Sequence, residues 1–216
     1  MALGDAGYDL GPETELMMRV LGLLAFTACS AGASTELADL APGQAAPAFS
    51  LPAIDGSTVS LADFAGKTVV LEWFNPGCPY VVHAHGEGAL TDQARRVVSE
   101  DTVWLAINSG ASGKQGHGLQ ANQTAAAEWN MTHPVLLDET GDTGRAYGAR
   151  TTPAMVVVDA SGNVAYVGAL DNAPNGTDPG DGYTNYVDQA LTDLGAGQEV
   201  RTARTRSYGC SVKYGS

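Results

Sequence analysis

Cys78 stands between Asn75-Pro76-Gly77 and Pro79-Tyr80-Val81, where an apolar run over 68–74 gives way to a Pro/Gly loop and a helix is expected to open. Unpaired N–H groups and the macrodipole at a helix N-terminus favour an anion, so a thiolate there is expected to have a pKa below the roughly 8.5 of a free thiol. That would make Cys78 a nucleophile; the alternative is a buried, inert cysteine used as a small apolar residue. Cys210, close to the C-terminus, is the second thiol that such chemistry can use. On a flexible tail next to Gly209 it could attack a sulfenic acid or mixed disulfide at Cys78 and close a bridge. A permanent structural disulfide and a free terminal thiol are the two competing readings. Glu72, six residues before Cys78, falls on the expected strand. A carboxylate desolvated there would have a raised pKa and could relay a proton to or from the sulfur; the alternative is a partly solvated strand residue.

His83 and His85 add a metal reading, because thiolate and imidazole suit copper or zinc. On a regular helix the two rings point about 200° apart, so one ion would take Cys78, a single histidine such as His83, and Cys210. His117 and His133 read as loop or core residues. Asp171, Asp178 and Asp181 lack the spacing of a calcium loop and read as a solvated loop.

The elements that must position these residues follow from the pattern. An extended segment starts at Pro47-Ala48-Phe49-Ser50-Leu51-Pro52 and turns at Asp55-Gly56, a hairpin. One helical turn over 61–64 leads to a buried central strand at 68–74, and a helix is expected over about 79–99, imperfect because of Gly86 and Gly88. A second buried strand at 103–107, a glycine-rich loop at 110–118, a helix at 119–130, a short strand at 134–137 and a short helix at 143–147 follow. Strands at 154–159 and 164–168 flank the turn Ala160-Ser161-Gly162-Asn163, and a last helix spans about 184–194. Strands alternating with helices and then a hairpin predict an α/β domain: a mixed central sheet flanked by helices, with an N-terminal β-hairpin extension.

The 216-residue chain carries a formal charge of −13, which argues against nucleic acid and anionic membrane partners. No run of about 20 apolar residues is long enough for a membrane span. Met17-Met18-Arg19, the apolar 20–26 and Thr27-Ala28-Cys29 read as a secretory signal, with translation beginning at Met1 or at Met17 or Met18. This segment resembles a bacterial lipoprotein signal, in which Cys29 would be lipidated, although Phe26 stands where leucine is usual. The expected organisation is a signal over 1–28, a flexible Ala/Ser/Gly/Pro tether over 29–46, a domain over 47–197 and a C-terminal tail over 198–216. Its expected place is the bacterial cell envelope or periplasm, held to the membrane only through the lipid on Cys29.

The strand, Trp73-Phe74, Cys78-Pro79-Tyr80-Val81, and Thr151-Thr152-Pro153 entering a hairpin resemble the thioredoxin-like superfamily over roughly 45–195. The resemblance implies a cis Pro153 against Cys78, Glu72 at the position of a buried acid, and a site wall built from Trp73, Pro79, Tyr80 and Thr152. Thioredoxins carry Cys-x-x-Cys, whereas Val81 stands at the second position here. Peroxiredoxins keep that second cysteine with Thr or Ser three residues earlier, and here Val81 and Cys78 occupy the two places. The chain is most similar to the exported peroxiredoxin-like redoxin group with one Cys-Pro-aromatic-Val site, a match that 105–109, Gly113-Lys114-Gln115-Gly116 and the terminal 208–214 extend to the C-terminus. The resemblance implies thiol–disulfide or antioxidant redox chemistry on a protein or small-molecule thiol, disulfide or peroxide, with a redox partner protein and no cofactor. Copper or zinc delivery through Cys78 with His83 or Cys210 is the alternative.

Overall fold

The computed structural model describes Met1 and residues 40–88 and 90–215. The expected signal and Cys29 lie outside the described residues. Leu40 is buried, Gly43 N–H donates to the Val164 carbonyl at 2.8 Å and Ala46 N–H to the Gly162 carbonyl at 2.9 Å. The stretch read as the end of a tether, 40–46, is therefore docked on the domain.

The hairpin of β1 (Ser50–Pro52) and β2 (Thr58–Ser60) closes over Asp55-Gly56. Asp55 Oδ1 accepts from both the N–H and the hydroxyl of Ser57, and Gly56 takes φ 88°, which glycine reaches without steric cost. A 3-10 turn, Leu61–Phe64, leads into β3 (Thr68–Trp73), buried from Val69 onward. Its β-branched run suits a strand covered on both faces. β3 pairs in parallel with β4 (Thr102–Asn108), which pairs in parallel with β5 (Val135–Leu137). On its other side it meets the hairpin of β7 (Ala154–Val158) and β8 (Val164–Gly168), both antiparallel, giving the order β5-β4-β3-β7-β8.

Alternate residues of β3 supply two cores. Val69, Leu71 and Trp73 pack with Phe49, Leu51 and Tyr147, beneath the N-terminal hairpin. Val70 packs with Leu90, Ala94, Trp104, Met155, Val187 and Ala190, beneath the helices α1 (Pro79–Gly86), α2 (Leu90–Val97) and α5 (Tyr186–Gly195). The single helix expected over 79–99 is thus two. The amides of Glu87 and Gly88 both turn back onto the His83 carbonyl, and a Cβ on Gly88 would lie 2.7 Å from the Ala84 carbonyl oxygen, so the chain bends where glycine permits it. Helices α3 (Leu119–Glu128) and α4 (Asp142–Ala146) complete the fold.

The tail is not loose. Val167 N–H donates to Ala203 and Thr205 N–H to Val167, each at 3.1 Å, and the tail then forms β9 (Cys210–Ser211), antiparallel to β6 (Thr151–Thr152). Val212 N–H reaches the Arg150 carbonyl, Ala111 N–H the Lys213 carbonyl, and the Tyr214 hydroxyl donates to the Ala149 carbonyl at 2.7 Å. The flexible tail expected from the sequence is corrected to one seated beside the hairpin, because its backbone groups at 203, 205 and 210–213 find partners on the domain.

Candidate active site

β3 ends at Trp73, and the next turn is shaped by amides. Asn75 Oδ1 accepts from Gly77 N–H at 2.8 Å, and Asn75 Nδ2 donates to the Gln115 carbonyl at 3.3 Å. Gln115 Nε2 returns a bond of 2.8 Å to the Gly77 carbonyl. Asn108 and Asn122 donate to the Gly116 carbonyl and are bonded to each other at 2.8 Å. Gly116 takes φ 74°, and a Cβ there would land on Asn75 Oδ1, so the 110–118 loop and the cysteine loop fit only with glycine between them. This network was not legible as function in the sequence; its one signal was the Gly-Lys-Gln-Gly run.

Cys78 follows as the N-cap of α1, with Pro79 at the first helical position. It is fully buried, and its Sγ lies 3.0 Å from the Thr152 carbonyl oxygen, to which the thiol donates. The Thr152–Pro153 peptide is cis. β9 sets Cys210 directly opposite Thr152, so both thiols converge on one residue of β6. The Cβ of any residue replacing Gly209, at φ 120°, would collide with that same Thr152 carbonyl.

The two thiols are driven apart electrostatically. Burial pushes the Cys78 thiol up, but the Thr152 side chain, the Cys210 thiol and the backbone N–H groups of Val81 and Cys210 outweigh it and hold Cys78 below the ordinary thiol range. The Thr152 hydroxyl is buried with no partner of ordinary hydrogen-bond geometry among the described residues, which leaves it to serve a thiolate. Cys210 is pushed up to about 11, by partial burial and then by the hydrogen bond to Cys78 and the charge on it, with Lys213 opposing. Cys78 therefore ionises first, while Cys210 keeps its proton and points it at the neighbouring sulfur.

A family model described as Redoxin matches residues 41–183. The chain belongs to the Redoxin family. This redoxin shares 46% identity over 48 residues with two Mycobacterium tuberculosis proteins provisionally named peroxiredoxins, a match covering 20% of the chain and 31% of each relative. The match thus spans under a third of those relatives. A hypothetical protein of Sinorhizobium meliloti 1021 superposes with TM-score 0.72 at 25% identity, covering 83% of this chain and 97% of its own. An uncharacterized conserved protein of Geobacillus kaustophilus gives TM-score 0.72 at 28% identity, over 81% and 92%. The fold is thioredoxin-like, with the mixed, helix-flanked sheet expected from the sequence.

Among the residues singled out beforehand, the redoxin fold brings Cys78, Cys210, Thr152 and Pro153 together, with Pro79 and Tyr80 on the first turn of α1. Trp73 is corrected. It points into the core of the opposite face, donates from Nε1 to Ser109 Oγ at 3.2 Å and packs on Tyr147, because alternation along β3 sends 73 away from the side that carries the helix.

Glu72 is corrected as well. Its Oε1 lies 2.8 Å from His85 Nε2 and its Oε2 accepts from Trp104 Nε1 at 3.1 Å. Burial would raise this carboxyl, but the charge and hydrogen bond of His85, the nearby His133 and the Trp104 bond together lower it. It is a buried acid hydrogen-bonded to His85 and Trp104, with its pKa lowered rather than raised and no bond to sulfur among the described residues. His85 stacks on Trp129 at 5.0 Å and meets Phe74 edge-on at 5.6 Å. His83 pairs with Glu87 at 3.2 Å. Among the described residues no three His, Cys, Asp or Glu side chains gather as a metal site.

Proposed function

We propose that this redoxin is an exported thiol–disulfide oxidoreductase in which Cys78 is the nucleophile and Cys210 the resolving thiol. The observation that carries the reading is the placement of both thiols on Thr152 with opposite displacements of their acidity. The Cys78 thiolate attacks one sulfur of a substrate disulfide, forming a mixed disulfide and releasing one thiolate, which takes up a proton. Cys78 then no longer carries the charge that raised Cys210, so Cys210 gives up its proton more readily. It attacks the Cys78 sulfur, the Cys78–Cys210 bond forms, and the second substrate thiol leaves with that proton. Two protein thiols lose two electrons, one substrate disulfide gains them, and a dithiol partner protein returns them in a later exchange. Thr152, Pro153, Pro79 and Tyr80 form the wall on which the mixed disulfide rests. The leader at 17–29 supports export and an anchor at Cys29.

The test is alkylation of the reduced protein as a function of pH, beside Cys78→Ser and Cys210→Ser. One fast thiol titrating well below 8.5, absent in Cys78→Ser, and a loss of two hydrogens on treatment with hydroxyethyl disulfide in the parent alone are the expected results. A slow thiol of ordinary acidity and no reducible bridge would overturn the assignment. Intact mass of protein purified from its native host checks the leader, since an acylated N-terminus at Cys29 is the expected form.

A further inference from the structure

A cavity of about 370 Å³ opens between α1 and the loop over 171–183. Tyr80 and Tyr208 both line it, and each stands two residues from a cysteine, Cys78 and Cys210 respectively. Their rings lie 5.9 Å apart at 46°. A group seated in the cavity therefore meets Tyr80 and Tyr208, and Tyr80 itself packs on the cluster that holds Cys78 and Cys210.

The wall carries carboxylates and tyrosines whose protons are committed. Asp171, nearly buried, accepts from Tyr208 at 2.7 Å, from Tyr183 at 3.2 Å and from Ala173 N–H at 2.9 Å. The hydroxyl protons of both tyrosines are thus spent on Asp171, and towards a ligand their oxygens can only accept. Gln93, also on the wall, spends its amide N–H groups on Asn185 and Asp188. Asp178 adds a second carboxylate at the exposed side. His83 faces the cavity too, but it is tied to Glu87 and covered by Gly176, whose Cβ would lie 3.0 Å from its Nε2. Asn175, Thr177 and Asn185 line it with groups that donate as well as accept, and what favours a positively charged ligand is the two carboxylates and the three aromatic rings.

We propose that this cavity is the specificity site of the redox reaction and holds the protonated amine of a cationic disulfide substrate while its S–S bond meets Cys78. This rests on the redox reading above. A carboxylate-bearing disulfide would meet the same wall with its charge opposed.

The experiment is the rate at which the reduced full-length protein is oxidised by cystamine, hydroxyethyl disulfide and dithiodipropionate, each divided by its rate with a free small thiol. Cystamine is expected to lead the neutral disulfide by about tenfold, from a cation held by aromatic faces and a partly exposed carboxylate. Asp178→Asn is expected to remove most of that preference, read as the ratio of the cystamine rate to the hydroxyethyl disulfide rate. Glu100→Gln removes the same charge at the opposite end of β3 and is expected to retain the preference, which separates the site from attraction by the net charge of −13. Equal loss in both variants, or oxidation by all three disulfides without preference, overturns the proposal and leaves the redox reading standing. Oxidation by none of them sinks the redox reading, and binding of the sulfur-free diamine cadaverine then decides the site. A saturable shift of Tyr80, Tyr183 and Tyr208 resonances upholds it, and their absence overturns it.

Discussion

Two titratable pairs meet at the same strand–loop–helix unit, one sealed in the core and one partly exposed, and have opposite fates. Glu72 and His85 sit beneath α1 with each charged atom bonded: Glu72 to His85 and Trp104, His85 to Glu72 and, through Nδ1, to Thr91 Oγ1 at 2.9 Å. Cys78 starts the same helix and Cys210 reaches it from β9, and there the donors are backbone amides, a threonine side chain and the other thiol. A carboxylate enclosed by matched donors is pinned in one state and becomes part of the core. A sulfur held by neutral donors keeps a lowered pKa yet can lose its charge when a bond forms, because nothing around it is left as an uncompensated ion. Phe74 stands on both sides of this division, packing on Cys78 in one cluster and edge-on to the His85 ring in another.

The sharpest way to break the comparison is Glu72→Ala. Removing one partner leaves a buried imidazole and the Trp104 N–H without their acceptor, an expected loss of about 3–5 kcal/mol. Urea unfolding checks the magnitude. Alkylation of the folded variant is expected to keep the parent pH midpoint for Cys78, and a midpoint displaced upward or downward by a full unit would tie Glu72 to the sulfur after all.

Acid separates the two regions next. His133 is buried with neither ring nitrogen hydrogen-bonded among the described residues, and its pKa is lowered to about 4, chiefly by desolvation, with Glu72 opposing. The unfolded chain binds its proton near 6.5, so stability is expected to fall as pH drops from about 6.5 to 4, by at most about 3 kcal/mol. Below that the carboxyl of Glu72, whose folded pKa is lowered, withdraws the stability it supplies above about 4.3. Urea midpoints across pH 4–7 check the first window, which His133→Leu is expected to flatten while the Cys78 alkylation profile stays as in the parent.

The sheet was legible because its signals are local: β-branched runs at 68–74 and 154–158 and the turn residues between 159 and 163 each fix an element without knowledge of its partners. Cys78 was legible for the same reason, since Pro-Gly-Cys-Pro announces a loop opening a helix. Glu72 was not, because a buried acid raises or lowers its pKa according to the residue opposite, and His85 arrives from 13 positions away. The docked tail escaped composition because Gly209 and Ser211 look like linker, and only the position of the Thr152 carbonyl shows that Gly209 is a fitted residue. Asn75, Asn108 and Asn122 likewise acquire a role only when the 110–118 loop folds back on the cysteine turn.

Gly209→Ala tests that fitting. Its Cβ would meet the Thr152 carbonyl at a φ that L-residues rarely adopt, so β9 must leave β6, at an expected cost of about 1–3 kcal/mol. Because the displaced strand carries Cys210, bridge formation is expected to slow far more than stability falls. Quenched oxidation followed by mass shift reads the first, and thermal unfolding the second. Bridge formation at the parent rate would mean that the strand is incidental to the reaction.

The smallest expected effect bears most directly on the comparison. Cys210→Ala takes away one neutral donor from Cys78 while the Thr152 side chain and the Val81 N–H remain. A hydrogen bond to an ionised group contributes about 1.5–3 kcal/mol at most, and water can enter where the side chain was, so the Cys78 midpoint is expected to rise by roughly one unit or less. Cys210→Ser keeps a hydroxyl at the same place and is expected to hold the midpoint close to the parent value. If the alanine variant alone moves upward, Cys210 lowers the Cys78 pKa in addition to the resolving role proposed for it. Coinciding titrations of alanine, serine and parent would instead assign the activation to β6 and the helix N-terminus, leaving Cys210 to the second step alone.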